Sequence, residues 1–166
     1  DGWLWYALGL AVALYGGPQR FHAILAATLA VAAGIALFIA LKHAFRRERP
    51  CELEPHCWAH LLPPAQFSFP SGHTITAFAV MAALAGFYPE MLPGLLFCAV
   101  SIAASRVVLG MHFLIDVLAG AALGTLGACI VFSTLRETPL SGSFSTLEFN
   151  MSLAPRQLAI GAAWAV

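Results

Sequence analysis

Charged residues that suit phosphate chemistry occur in short groups along an otherwise apolar chain. Lys42 and Arg49 form the first group, and Arg106 lies in the third. Arginine binds phosphate oxygens through a planar fork of donors, and lysine adds a point charge. Three cations with few acidic neighbours predict a site for a dianionic phosphate group.

The second group, Pro70-Ser71-Gly72-His73, directly precedes an apolar run that is typical of a helix. Free backbone N–H groups at a helix N-terminus attract anions, and the helix dipole adds to this attraction. Glycine has no Cβ, so a phosphate group can approach the backbone closely at Gly72. We therefore expect Ser71 and Gly72 to bind phosphate together with the three cations.

The third group pairs a histidine with a carboxylate. His112 and Asp116 are four residues apart and so share one face of a helix. A carboxylate bonded to one ring nitrogen fixes the tautomer and leaves the other nitrogen free to attack. We predict that His112 attacks phosphorus to form a phosphohistidine, and that His73 protonates the leaving alkoxide and then activates water. Because the cations neutralise the transition state as magnesium does in kinases, we expect no metal ion and no other cofactor.

The composition indicates that helices in a lipid bilayer position these residues. Hydrophobic residues make up 60% of the 166 residues and charged residues 10%, against roughly 25% charged in an average soluble domain. The formal net charge of zero argues against a nucleic-acid partner. Lipid-exposed backbone must form its hydrogen bonds within its own segment, which predicts an all-α membrane bundle.

Apolar segments separated by polar ones predict about five to six transmembrane helices. Their approximate bounds are Leu4 to Leu14, Ala23 to Leu41, Thr74 to Tyr88, Leu95 to Arg106 and Phe113 to Leu135. Counting crossings brings the end of the second segment, the start of the third, the end of the fourth and the start of the fifth to one membrane face. Because the three polar groups lie at these ends, the topology predicts that they meet in one site. The many Gly and Ala residues between 119 and 127 predict close helix packing.

Lys-x6-Arg-Pro, Pro-Ser-Gly-His and Ser-Arg-x5-His-x3-Asp closely resemble the three motifs of the type 2 phosphatidic acid phosphatase superfamily. All eleven specified residues are present in order between Lys42 and Asp116. The resemblance implies a membrane helical bundle with His112 as nucleophile, Asp116 as its partner and His73 as the acid. It implies that the phosphate is held by Lys42, Arg49, Ser71, Gly72, His73 and Arg106.

Membrane members of this superfamily usually have six spans, with the first motif ending the third, whereas two apolar segments precede Lys42 here. We expect a further helix upstream of Asp1 or in the C-terminal segment. We assign residues 1–136 to a transmembrane phosphatase domain and residues 137–154 to a polar linker. Residues 155–166 form an apolar segment too short to cross, either a truncated helix or an interfacial segment.

The predicted activity is metal-independent hydrolysis of a lipid-linked phosphate or pyrophosphate monoester at a bilayer surface. Candidate substrates are phosphatidic acid, phosphatidylglycerol phosphate, an isoprenoid pyrophosphate and a lipid A phosphate, and the sequence does not choose between them. The alternatives are a phosphotransferase that moves the phosphoryl group to another acceptor, and a non-catalytic protein that binds or transports a lipid phosphate. The resemblance implies a bacterial inner (plasma) membrane protein whose site faces the periplasm or exterior. The oligomeric state is not predicted.

The polar loop after the first motif leaves other interpretations open. Cys51 and Cys57 either form a disulfide or are free thiols. With two histidines of the same loop they superficially suggest a zinc site, but their spacing fits no common ligand pattern. Arg46 and Arg47 are interpreted as a solvated flank or a headgroup anchor.

Overall fold

The computed structural model describes residues 2–53 and 67–137, with backbone alone for residues 51, 52, 136 and 137. Every regular element in these two ranges is helical. The helices are α1 (Gly2–Tyr15), α2 (Arg20–Phe45), α3 (Pro50–Leu53), α4 (Gly72–Phe87), α5 (Leu92–Val108) and α6 (Leu114–Glu137). Short 3-10 turns precede α2 and α5. The predicted all-α fold is confirmed.

Within residues 2–53 and 67–137, three helical segments are long and apolar enough to cross a bilayer, namely Gly17–Phe45, Pro89–Val108 and Leu114–Leu135. Helices α1 and α4 are apolar but shorter. Large apolar side chains point outward from the bundle, since Phe97 is 74% exposed and Ile130 is 65% exposed. Apolar surface on this scale is the mark of contact with lipid. The chain is an integral membrane bundle, as predicted.

Helix α4 is the central element, because it packs against α2, α5 and α6. Two glycines of α6 permit its closest approach to α4. A Cβ on Gly120 would lie 2.8 Å from the Ser71 carbonyl oxygen, and one on Gly124 would lie 2.4 Å from the Ile75 carbonyl oxygen. The close packing predicted for this part of the chain is confirmed, and it fixes the start of α4 against α6.

The end of α2 sets the position of the first motif. The helix continues past the uncharged run that ends at Leu41, so Lys42 lies in its last turn. Arg46 then adopts the left-handed conformation (φ 46°, ψ 36°), and its N–H donates to the Lys42 carbonyl at 3.2 Å. This cap ends the helix and redirects the chain, which brings Arg49 back to the same end of the bundle.

Some predictions fall outside the residues that the structure describes. These are the additional helix, the linker and apolar segment beyond residue 137, and the pairing or metal binding of Cys51 and Cys57. They stay predictions.

Candidate active site

Helix ends surround a cavity of about 380 Å³ at one end of the bundle. The end of α2 contributes Lys42, the start of α4 contributes Gly72 and His73, and the turn before α6 contributes His112. Arg49, in the segment after α2, also lines the cavity. Residues from all three motifs therefore meet in one space, as the count of crossings predicts.

Lys42 and Arg49 bring positive charge to the cavity wall. Lys42 Nζ lies 4.7 Å from the centroid of the Phe38 ring, one turn earlier on α2. The same ring lies against Gly72, where a Cβ would come within 3.0 Å of it. Arg49 is only 5% exposed, and a cation shielded from water attracts an anion more strongly than a solvated one. The cavity is thus suited to a phosphate group.

His73 lies in the first turn of α4 and faces this cavity. Lys42, Arg49 and Arg106 all lie close enough to interact electrostatically with its imidazole. The His112 imidazole interacts in the same way with Arg49 and with His73. Two imidazoles and three cations therefore share one site.

Burial and one hydrogen bond fix the protonation state and the tautomer of the His112 imidazole. The residue is 4% exposed. Its Nδ1 lies 2.7 Å from the carbonyl oxygen of Ser68. Because a carbonyl oxygen only accepts, Nδ1 carries the hydrogen and Nε2 carries the lone pair. Burial, with the Arg49 cation adding to it, lowers the pKa of His112 to about 4. The ring is therefore neutral at pH 7, as a nucleophile must be.

The direct hydrogen bond predicted between His112 and Asp116 is replaced by an indirect link through Ser68. His112 Nδ1 lies 4.0 Å from Asp116 Oδ2, which is beyond hydrogen-bond distance. The buried Asp116 carboxylate instead accepts from Ser68 Oγ, from the Phe113 N–H at 2.9 Å and from Arg47 Nη1 at 2.9 Å. The prediction assumed that both residues lie on one helix, whereas α6 begins only after His112.

Ser71 lies at this end of the bundle, but it is fully buried and does not line the cavity. Its N–H donates to the Asp116 carbonyl oxygen at 3.1 Å. Its Oγ accepts from the Thr74 hydroxyl at 2.9 Å. That backbone N–H therefore joins α4 to α6, and the binding of phosphate by Ser71 stays a prediction.

Arg106 lies in the last turn of α5, and it also does not line the cavity itself. Its Nε donates to Ser105 Oγ at 3.2 Å. Its carbonyl oxygen accepts from the N–H groups of Met111 at 3.0 Å and His112 at 3.2 Å. The backbone of Arg106 thus holds the turn that carries His112, while its charge acts on the site electrostatically.

A model of the PAP2 superfamily matches residues 22–139, which contain all three motifs and most of the cavity. The chain belongs to the PAP2 superfamily. A decaprenylphosphoryl-5-phosphoribose phosphatase of Mycobacterium tuberculosis is 37% identical over 132 residues, which cover 78% of this chain and 70% of that protein. Phosphatidylglycerophosphatase B of Bacillus subtilis is 38% identical over 97 residues, which cover 52% and 45% of the two chains.

Two crystal structures share the fold. Aquifex aeolicus LpxE matches with a TM-score of 0.69 and 28% identity, over 80% of this chain and 78% of that one. A transmembrane PAP2 type phosphatidylglycerolphosphate phosphatase from Bacillus subtilis matches with a TM-score of 0.61 and 28% identity, over 80% and 70%. The predicted family and the predicted class of enzyme, a phosphatase, are confirmed.

Three residues of this PAP2 site lie outside the motifs and are not found from the sequence. Phe38 precedes Lys42 by four positions on α2, and this spacing was a usable signal. Arg47, interpreted from the sequence as a solvated flank or a headgroup anchor, has a side chain that is 40% exposed and in addition pairs with Asp116, which lies 69 residues later in the chain. Ser68 contacts His112 through its backbone carbonyl, which no side-chain pattern indicates.

Proposed function

We propose that this PAP2 protein hydrolyses a phosphate monoester of a membrane lipid through a phosphohistidine at His112, without a metal ion. The observation that carries the proposal is the meeting of His112, His73 and two motif cations in one cavity. A neutral imidazole with a fixed tautomer supplies a nucleophile, a second imidazole supplies a proton donor, and the cations supply charge. The relatives compared above are named as phosphatases of lipid-linked substrates, which supports a lipid phosphate as the substrate class.

A second space in the bundle supports a lipid over a water-soluble ester. An apolar groove of about 660 Å³ lies between α1, α2 and α4. It is contiguous with the catalytic cavity, because Gly2, Trp5, Ile35 and Thr76 line both. A hydrocarbon chain in this groove would leave its phosphate group beside His112. Burial of the chain would contribute roughly 0.8 kcal/mol for each CH₂ group.

In the first step of the proposed reaction, the phosphate dianion is bound between Lys42 and Arg49 with His73 on the leaving-group side. His112 Nε2 attacks phosphorus, so that a P–N bond forms while the P–O bond to the lipid alkoxide breaks. Protonated His73 gives its proton to that alkoxide. The Ser68 carbonyl accepts from Nδ1–H and so stabilises the positive ring that forms. The motif cations neutralise the equatorial oxygens.

In the second step a water molecule attacks phosphorus on the side from which the lipid alcohol has left. His73, now neutral, takes a proton from this water while the P–N bond breaks. Inorganic phosphate is released, His112 returns to its neutral form and His73 is again protonated. Because the chain resembles members of the superfamily, we propose that this reaction takes place at the periplasmic or outer face of a bacterial inner membrane.

Phosphate release from defined lipids tests the proposal. Detergent-purified protein should release inorganic phosphate from phosphatidic acid or a polyprenyl phosphate in the presence of EDTA. His112→Ala should lower the rate by roughly 1000-fold or more, because alanine cannot form the covalent intermediate. His43→Ala is the matched control, because His43 is exposed in the last turn of α2 and does not line the cavity.

Three results of these assays would reject or change the proposal. Wild-type turnover by the His112 variant would reject His112 as the nucleophile. Activity that EDTA abolishes and a divalent cation restores would reject the metal-independent reaction. Phosphoryl transfer to an added alcohol in place of water would favour the phosphotransferase alternative.

A further inference from the structure

Arg47 makes three contacts that are unusual for a cation on a polar loop. Its Nη1 lies 2.9 Å from Asp116 Oδ1. Its guanidinium lies over the Phe113 ring, 4.1 Å from the centroid. Its backbone carbonyl accepts from the Ser68 N–H at 2.7 Å. Side chain and backbone of one residue therefore reach both the start of α6 and the segment before α4.

Asp116 needs this contact because its carboxylate is completely buried. A buried carboxylate is costly unless it is paired and hydrogen-bonded. Ser68 Oγ and the Phe113 N–H supply two neutral donors, and Arg47 supplies the balancing charge. Loss of Arg47 would leave a buried charge with only the two neutral donors.

Ser68 connects this ion pair to the nucleophile. Its N–H is bound to Arg47, its hydroxyl to Asp116 and its carbonyl to His112 Nδ1. All three polar groups of Ser68 are thereby fixed, and the carbonyl sets the tautomer of His112. A shift of Asp116 would move Ser68, and a shift of Ser68 would tilt or release the imidazole.

We propose that Arg47 is a positioning residue for the His112 nucleophile and acts through Asp116 and Ser68. The proposal rests on the proposed function. Arg47 is not among the residues that line the catalytic cavity, whereas Lys42 and Arg49 are. Removal of Arg47 therefore impairs the attack on phosphorus and leaves phosphate binding in place.

A pair of neighbouring arginines provides the experiment. Arg47→Ala should lower kcat about 10- to 100-fold, the usual loss when the support of a reacting group is removed. KM and the inhibition constant of inorganic phosphate should change less than about twofold, since binding groups are retained. Arg46→Ala removes the same charge one residue earlier, where the side chain is exposed and its Nε donates to the His43 carbonyl. That control should keep the wild-type kcat.

A double-mutant cycle distinguishes action through Asp116 from an independent effect. Asp116→Asn removes the charge that Arg47 balances, so adding Arg47→Ala to it should lower kcat less than about threefold further. Arg47→Lys keeps a cation without the fork and should retain intermediate activity. If Arg47→Ala does not fold, the kcat of Arg47→Lys is measured in its place and should lie below that of the wild type.

Three outcomes would overturn the positioning role. The first is a double variant whose loss of kcat equals the product of the two single losses. The second is an Arg47→Ala kcat equal to that of Arg46→Ala. The third is a rise in the phosphate inhibition constant that accounts for the whole loss of activity of Arg47→Ala. An inactive wild-type protein would instead reject the proposed function, so the two failures are distinguishable.

Discussion

Gly124→Ala tests whether the contact between α4 and α6 controls the geometry of the site. The added Cβ would lie 2.4 Å from the Ile75 carbonyl oxygen and 3.0 Å from the Ala79 nitrogen. Ordinary contacts begin at 3.4 Å, and both neighbours are backbone atoms of a packed helix. The two helices must therefore separate by about 1 Å, since backbone cannot rotate away as a side chain can.

The expected consequences follow from that displacement. One turn before Ile75 on α4, and about two turns before Gly124 on α6, the Ser71 N–H donates to the Asp116 carbonyl at 3.1 Å. A separation of about 1 Å would lengthen this contact beyond hydrogen-bond distance. Overpacking of this kind costs about 1–3 kcal/mol of stability. A misplacement of about 1 Å at a reacting group can lower kcat by up to about 100-fold.

Thermal unfolding in detergent and steady-state phosphate release measure the two effects. Gly127→Ala is the matched control, because it lies on the same helix and a Cβ there would have no neighbour within 4 Å. That variant should be as stable as the wild type or more so, since alanine favours the helix over glycine. Equal melting temperatures and equal kcat for Gly124→Ala and Gly127→Ala would refute the tight contact.

Two further predictions follow from the cavity. The pKa of His112 is near 6.5 in the unfolded chain and about 4 in the folded protein. Because the unfolded chain therefore binds a proton more readily, acidification between these values favours unfolding. The wild type should lose about 3 kcal/mol more free energy of unfolding than His112→Gln between pH 7 and pH 4. Parallel loss in both proteins, measured by denaturation at pH 7 and pH 4, would contradict this. Phe38→Leu should raise KM about 2- to 5-fold with little change in kcat, because it removes a cation–π contact of roughly 0.5–1 kcal/mol from Lys42. The control is Phe21→Leu, which removes the similar contact with Arg20 at the other end of α2, and an equal rise in KM for both would reject the role of Phe38.

The helices and the meeting of the motifs were predictable from the sequence, because both depend on where uncharged runs begin and end along the chain. Uncharged runs indicate spans, and the crossing count brings Lys42, His73 and His112 to one face. The close packing at Gly120 and Gly124 was also predictable from the sequence, since small residues are typical of close helix contacts. The bounds of α2 were less predictable, because Lys42 interrupts the uncharged run while the helix continues to Phe45.

The arrangement around His112 was not predictable, because it depends on where α6 begins. The four-residue spacing of His112 and Asp116 suggests a direct bond only if both are helical. With α6 starting at Leu114, a backbone carbonyl takes the place of the carboxylate. The pairing of Asp116 with Arg47 joins distant parts of the chain, and local charge patterns do not reveal such a contact.

Chemical trapping of the intermediate tests most directly the proposal that His112 is the nucleophile. Protein mixed with a lipid substrate carrying a labelled phosphate should be quenched within one turnover at alkaline pH and digested, and the labelled peptide sequenced by mass spectrometry. We predict label on the His112 imidazole, at Nε2, and none in His112→Ala. Label on His73, or full phosphate release with no labelled histidine in the wild type, would contradict it.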